Sequence, residues 1–208
     1  MLSTLLAFLG ACTLIAASPG PSTVLIIKQS LQSRRSGFLT VLGNETGVFI
    51  WGVVAAFGLT ALLAASEMAY DVMRIVGAVV LIGFGVQTLR QARRSKGEAV
   101  DGSGWESTGK SGLASYRGGL LLNLANPKAA IFAMSFLPQF VPEGAPQLPT
   151  MVGLAALWAV YEIGYYGLYV WFVGRMKTVL SRTGVRRRLE QVSGGVLLLL
   201  GARLALES

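Results

Sequence analysis

Three charged residues lie inside otherwise apolar runs of the sequence, and they are the first candidates for chemistry. Glu45, Lys128 and Glu162 are each the only charged residue of a long apolar run. An ionisable side chain in the middle of a membrane costs several kcal/mol, and such residues commonly mark a substrate or ion pathway. A purely structural Glu–Lys pair that stabilises the fold is the alternative interpretation.

Proline motifs interrupt two of the apolar runs. The first run contains Ser18-Pro19-Gly20-Pro21 and the fourth contains Asn126-Pro127-Lys128. Asn or Ser followed by Pro is typical of a helix N-cap and first helical residue. Each motif therefore predicts a half-helix that begins inside the membrane and directs free N–H groups at the midplane, where they would suit a carboxylate. A simple helix kink is the alternative.

These groups are expected at a common depth. Counting ~1.5 Å per residue from the cytoplasmic helix ends places the three charges and Ser18 about 12–18 Å deep. The hydrocarbon core is about 30 Å thick, so all of them fall near its centre. With both acids ionised the site would carry one net negative charge, which a proton or a substrate ammonium group would neutralise.

Aromatic residues recur near Glu162. Trp158, Tyr161, Tyr165 and Tyr169 follow one another at intervals of three or four residues. Their rings could hold a cation, although helix packing or an interfacial belt is the commoner reason for such a stripe. The substrate-binding candidates are Ser18, Pro19, Gly20, Pro21, Asn44, Glu45, Asn126, Pro127, Lys128, Trp158, Tyr161, Glu162 and Tyr165. Glu45 and Glu162 are also the candidates for proton coupling.

The elements that must position these residues are membrane helices. The chain is 53% hydrophobic and 13% charged, whereas soluble domains have about 25% charged residues. Lone strands cannot satisfy their backbone in lipid, so we predict an all-α membrane protein. Six spans are expected, of which the third and sixth are the shortest: 2–27, 37–65, 72–89, 117–141, 149–174 and 192–206. The first span lacks the positive region of a signal peptide, so we expect it to be retained.

Loop charges predict the topology. Lys and Arg are concentrated in loops 28–36, 90–117 and 175–190, whereas Glu67, Asp71 and Glu143 lie in the loops between them. Cytoplasmic loops concentrate Lys and Arg, so these three loops are expected inside and both termini outside. The net charge of +8 is explained by these loops rather than by nucleic-acid binding.

A weak internal repeat divides the chain. Residues 75–81 align with 192–198 at an offset of 117 residues, and the same offset relates Glu45 to Glu162. Three helices per unit would make the second unit inverted, an arrangement found in secondary transporters. We therefore expect three-helix repeats at 1–90 and 117–208, joined by a flexible cytoplasmic linker at 91–116. Chance similarity between apolar helices is the alternative.

Several classes of function are disfavoured. The chain has no histidine, and Cys12 is its only cysteine, so neither a His-ligated metal nor a disulfide is expected. Residues 104–111 match the P-loop pattern, but no buried strand precedes them, so we expect no nucleotide. No cofactor is predicted. A membrane enzyme would need a nucleophile–base pair or metal cluster, and a structural subunit would not need acids and proline breaks at one depth.

The motifs resemble those of the LysE/RhtB family of bacterial amino-acid exporters. The resemblance rests on Ser18–Pro21, on Arg34-Arg35-Ser36-Gly37, and above all on the stretch 123–132 with its continuation 136–141. It implies a multi-pass carrier of the bacterial inner membrane that exports amino acids or similar amphoteric metabolites, is driven by the proton or ion gradient, and forms a homodimer. The alternative is an inorganic cation (metal) exporter of a related small-carrier family.

Glu45 departs from the family pattern. Many members are expected to have an uncharged residue between the glycines of Gly43-Asn44-Glu45-Thr46-Gly47. Glu45 therefore indicates either a branch that prefers cations or a coupling mechanism that not all members share. The mechanism we predict is alternating access of the two units around a midplane pocket.

Overall fold

The chain is helical throughout the part that can be described. A computed structural model describes residues 2–17, 20–65, 67–94, 112–173 and 183–206, and within these ranges it contains α-helices, one short 3-10 helix and no strand. The prediction of an all-α protein is confirmed. Ser18, Pro19 and the P-loop-like residues 104–111 lie outside the described residues.

Eight α-helices make up the described chain. They are α1 (Leu2–Ala17), α2 (Pro21–Gln32), α3 (Arg34–Ala65), α4 (Glu67–Arg94), α5 (Gly112–Leu124), α6 (Pro127–Phe136), α7 (Gln147–Trp171) and α8 (Thr183–Leu206), with the 3-10 helix at Leu137–Phe140. Helices α4 and α8 have 28 and 24 residues. They are longer than the spans predicted at 72–89 and 192–206, because the helices continue through polar flanks that hydropathy alone leaves out.

Proline begins two of these helices. Gly20 is extended and Pro21 is the first residue of α2, while Pro127 follows Asn126 and is the first residue of α6. Proline is tolerated there because the first N–H groups of a helix have no intrahelical partner. Helices α1 and α2 meet at an angle of 68°. Helix α6 begins at Pro127 as the sequence predicts, whereas α2 begins at Pro21 and not at Pro19, because the extended Gly20 is its N-cap.

A serine separates α2 from α3. Ser33 is extended, its N–H donates to Gln29 O at 3.1 Å, and its hydroxyl accepts from the Ser36 N–H at 3.0 Å. The side chain therefore caps α3. The chain reverses here with no additional loop residue.

Burial is distributed as expected for a protein in lipid. Leu121 and Val160 are 63% and 66% exposed, while Glu45 and Glu162 are 1% and 3% exposed. Apolar side chains on the outside and acids on the inside would be unfavourable in water. Of the described helices, α3 over Arg34–Ala61 and α7 over Gln147–Trp171 are long and apolar enough to span a membrane, and α1 with α2 would be a third span if the bent pair is counted as one.

Helix α3 is the centre of the packing. It contacts α2, α5, α6 and α7, and glycines bring it especially close to α5. A Cβ atom on Gly119 would collide with Thr40 O and would lie 3.0 Å from Asn44 N. On Gly47, a Cβ atom would lie 2.8 Å from the Asn123 side chain. Small residues of this kind permit close helix contact in membranes.

Helices α4 and α8 form a second close pair. A Cβ atom on Gly85 would lie 2.9 Å from Gly194 O, and one on Gly201 would lie 2.9 Å from Ala78 O. Ala78 comes before Gly85 in α4, but its partner Gly201 comes after Gly194 in α8. The two helices are therefore antiparallel.

The α3–α5 contact can be tested with two neighbouring glycines. Gly119→Ala should lower the melting temperature of the detergent-purified protein by several degrees, because the new methyl group would have to displace the α3 backbone. Gly118→Ala is the matched control, since a Cβ atom there meets nothing within 4 Å. Equal melting temperatures for the two variants would contradict the close contact.

Candidate functional site

The two buried glutamates come together in the core. Glu45 on α3 and Glu162 on α7 have their carboxyl groups within hydrogen-bonding range of each other. Two carboxyl groups can share a hydrogen bond only when one of them carries a proton. Two ionised carboxylates in contact would repel each other strongly. Two carboxyl groups in contact therefore favour the state in which they share one proton.

Amide and indole groups support the acid pair. Asn44 Nδ2 donates to Glu45 Oε1 at 2.8 Å, and Trp158 Nε1 donates to Glu162 Oε1 at 2.8 Å. Asn123 on α5 donates in turn from Nδ2 to Asn44 Oδ1 at 3.3 Å. Among the described residues, Glu45 Oε2 and Asn123 Oδ1 receive no N–H or O–H donor if both acids are ionised. The site thus retains acceptor capacity for a proton or a ligand.

A cavity of about 100 Å³ lies beside the pair. A single water needs roughly 10–15 Å³, so the cavity has room for several waters or a small organic molecule. Glu162 lines the cavity whereas Glu45 does not. The lining residues come from six of the helices and the two breaks: Ile15, Gly20, Pro21, Ser22, Thr23, Asn44, Val48, Asn123, Asn126, Ala129, Phe132, Trp158, Glu162 and Tyr166.

Both proline-initiated helices reach this cavity. Gly20 and Pro21 line it at the start of α2, and Asn126 lines it just before α6. The positive end of a helix dipole and its unpaired N–H groups favour an anion. The cavity therefore has a region suited to a carboxylate and, at Glu162, a region suited to an ammonium group.

Only part of the predicted aromatic stripe faces the cavity. Trp158 lines it, but Tyr161 and Tyr165 do not. The Tyr161 hydroxyl is 2.6 Å from Thr13 Oγ1, and the Tyr165 hydroxyl is 3.1 Å from that of Tyr169. These two tyrosines connect neighbouring groups instead of forming a cage.

Tyr166 is a cavity residue that the sequence analysis did not select. It is hydrogen-bonded to Thr23 of α2, and its hydroxyl donates to Ala16 O at 3.2 Å. It thereby connects α7 to both sides of the break between α1 and α2. Its position four residues after Glu162 is a signal that could have found it, since residues four apart share a helix face.

Asn123, Thr23 and Phe132 are further lining residues that were not predicted as site residues. Asn123 and Phe132 belong to the stretch on which the family resemblance rests, so that stretch was a usable signal. Thr23 carries no comparable signal.

Some predicted residues cannot be assigned to the cavity. Ser18 and Pro19 lie outside the described residues, and the side chains of Pro127 and Lys128 are outside the described part as well. Elsewhere in the described chain, no three His, Cys, Asp or Glu residues come together in a way that could hold a metal ion.

Comparison with protein families identifies the chain. The family model described as LysE type translocator matches residues 13–208. The chain belongs to this family. The resemblance found in the sequence is thereby confirmed, and the LysE type translocators are transport proteins, in agreement with the prediction that the chain is not an enzyme.

Individual relatives of this translocator cover most of its length. It is 27% identical over 200 residues to a homoserine/homoserine lactone efflux protein of Salmonella typhimurium, covering 96% of this chain and 94% of the relative. It is 32% identical over 156 residues to a threonine efflux protein of Salmonella typhi, covering 74% and 71%. It is 29% identical over 203 residues to a leucine efflux protein of Salmonella choleraesuis, covering 95% and 92%. No solved structure gives a significant match.

Proposed function

We propose that this protein exports amino acids or closely related amphoteric metabolites across the bacterial inner membrane by proton antiport. The observation that carries the proposal is a cavity lined both by helix starts and by a buried glutamate. Relatives named as homoserine, threonine and leucine efflux proteins support the same substrate class.

The substrate is held by its two charged groups. Its carboxylate faces the first turn of α2, where Ser22 adds a hydroxyl group to the backbone donors. Its ammonium group faces Glu162, with Asn123 Oδ1 as a second acceptor. Each charged group of the substrate then has a partner of opposite charge, in a site that excludes most water, where such contacts are strong.

Proton and substrate compete for the same carboxyl group. Loss of the shared proton to the cytoplasm leaves Glu162 as a carboxylate that binds the ammonium group. On the outer side, a proton entering the pair neutralises Glu162 and releases the substrate. Other titratable groups near the pair are Tyr166, which is close to both acids, and Cys12 and Tyr165, which are close to Glu162.

Glu45 and Glu162 differ in role on this mechanism. Glu162 lines the cavity and contacts the substrate, whereas Glu45 lies behind it and shares with Glu162 the proton that is exchanged. Gln at position 45 could still donate a hydrogen bond to Glu162 but could not exchange a proton.

Alternating access uses the two inverted three-helix units at 1–90 and 117–208, with 91–116 as the cytoplasmic linker and six spans in all. Support comes from contacts that follow the internal repeat. The offset that relates Glu45 to Glu162 also relates Asn44 to Tyr161. The two proline breaks, at Pro21 and Pro127, are related by an offset of 106, which also relates Thr13 to Gly119. Thr13 contacts Tyr161, and Gly119 contacts Asn44. The two contacts are therefore equivalent under the repeat.

Glutamate substitutions test the mechanism in proteoliposomes that contain the purified protein and labelled amino acids. Glu162→Gln should reduce counterflow by at least about tenfold, because hydrogen bonds to charged groups contribute roughly 1.5–3 kcal/mol. Glu45→Gln should retain counterflow but lose the extra accumulation that an imposed pH gradient drives in the wild type.

Glu143→Gln is the matched control, since Glu143 is an exposed acid in the loop between the 3-10 helix and α7. Counterflow and gradient-driven accumulation should both be unchanged. Gradient-driven accumulation by folded Glu45→Gln at the wild-type level would remove Glu45 from proton coupling. Absence of any amino-acid exchange by folded wild-type protein would overturn the proposed function and favour the inorganic cation exporter.

The proposed orientation has both termini outside and loops 28–36, 90–117 and 175–190 in the cytoplasm. It can be tested in a Cys12→Ala background, because Cys12 is the only cysteine. In spheroplasts, which lack the outer membrane but keep the inner membrane sealed, a membrane-impermeant maleimide should label Glu143→Cys but not Ser33→Cys. The reverse pattern would invert the topology. The homodimer stays a prediction from the family resemblance.

A further inference from the structure

The cavity consists of two layers. Glu162, Asn44 and Asn126 belong to a polar layer. Trp158, Val48 and Phe132 lie one to two helical turns away from Glu162, Asn44 and Asn126, respectively. Together with Ile15 and Ala129 they form an apolar layer.

The apolar residues lie on the same side of the polar layer. Glu45 meets Glu162, and a Cβ atom on Gly52 would meet Ala155, so α3 and α7 run in opposite directions. Val48 follows Asn44 and Trp158 precedes Glu162, so both apolar residues lie in the same direction from the polar layer. Helix α5 runs parallel to α3, since Gly43 lies against Tyr116 and Gly47 against Asn123. Phe132 belongs to the same layer, since its ring centroid lies 5.8 Å from that of Trp158.

We propose that the substrate's side chain occupies the apolar layer and that Phe132 sets its maximum size, so that the transported amino acids have uncharged side chains of limited bulk. This inference rests on the proposed function, since it requires the amino and carboxyl groups to lie in the polar layer. Charged side chains are disfavoured because the apolar layer would remove their water without supplying a partner.

Phe132 is suited to set this limit because its ring cannot easily move aside. It is 4% exposed, and its centroid lies 4.8 Å from that of Phe136 and 5.8 Å from that of Trp158. Phe136 is in turn packed against Phe8 and Phe140, with centroids at 5.4 and 4.8 Å. Trp158 is held by its hydrogen bond to Glu162. The aromatic rings beyond Phe132 therefore close the apolar layer.

The test is a competition experiment with a graded series of side chains. Unlabelled alanine, valine, leucine and phenylalanine compete for counterflow of the best labelled substrate. Phe132→Ala should improve competition by phenylalanine relative to alanine by at least about tenfold, since a single methylene in a hydrophobic pocket changes selectivity roughly 10–200-fold. Phe132→Leu should shift the ratio of phenylalanine to alanine competition in the same direction but by less. This variant replaces Phe132→Ala in the test if Phe132→Ala fails to fold.

Phe140→Ala is the matched control. Phe140 belongs to the same aromatic cluster and is also buried, but it does not line the cavity. Its substitution removes the same atoms from the cluster but should shift the ratio much less than Phe132→Ala, because Phe140 reaches Phe132 only through Phe136. If wild type exchanges amino acids but the ratio is unchanged in the Phe132 variants, or shifts equally in Phe140→Ala, the inference is overturned while the proposed function stands. If wild type exchanges no amino acid, the proposed function itself fails, and this inference fails with it.

Discussion

The contact between the Glu45 and Glu162 carboxyl groups is the constraint on which the rest of the interior depends. Two acids that are almost fully buried are costly to hold in a protein that presents apolar side chains to its surroundings. The cost is reduced by the donors Asn44 and Trp158 and, on the proposed mechanism, by a shared proton. These requirements fix the rotation and the axial position of α3 relative to α7, and the cavity forms directly beside the pair.

Much of this arrangement could be predicted because it depends on residue type and spacing within single helices. Isolated acids in apolar runs, with an offset of 117 residues between them, were enough to bring Glu45 and Glu162 to one depth. The Asn-Pro motif was enough to locate the start of α6, and the Ser-Pro motif placed the start of α2 two residues too early. These signals are local, so they survive without knowledge of the tertiary structure.

The rest of the site depends on how helices cross, which spacing alone does not determine. Tyr161 and Tyr165 were selected by their proximity to Glu162, but the rotation of α7 points Tyr166 into the cavity instead. Asn123 reaches Asn44 because glycines let α5 approach α3 closely. The helix ends of α4 and α8 were underestimated because charged flanks can remain helical beyond the apolar segment.

The depth of the acid pair has an electrical consequence. Glu45 lies eleven residues into the 32-residue helix α3, so a proton bound there has entered the protein well beyond its surface. On the proposed mechanism a zwitterion leaves as a proton enters, and one net positive charge moves inward in each cycle. The membrane potential contributes about 2.3 kcal/mol per 100 mV for each charge that crosses. Export would then be driven by voltage as well as by the difference in pH, and a cell at neutral external pH could still empty its cytoplasm of substrate.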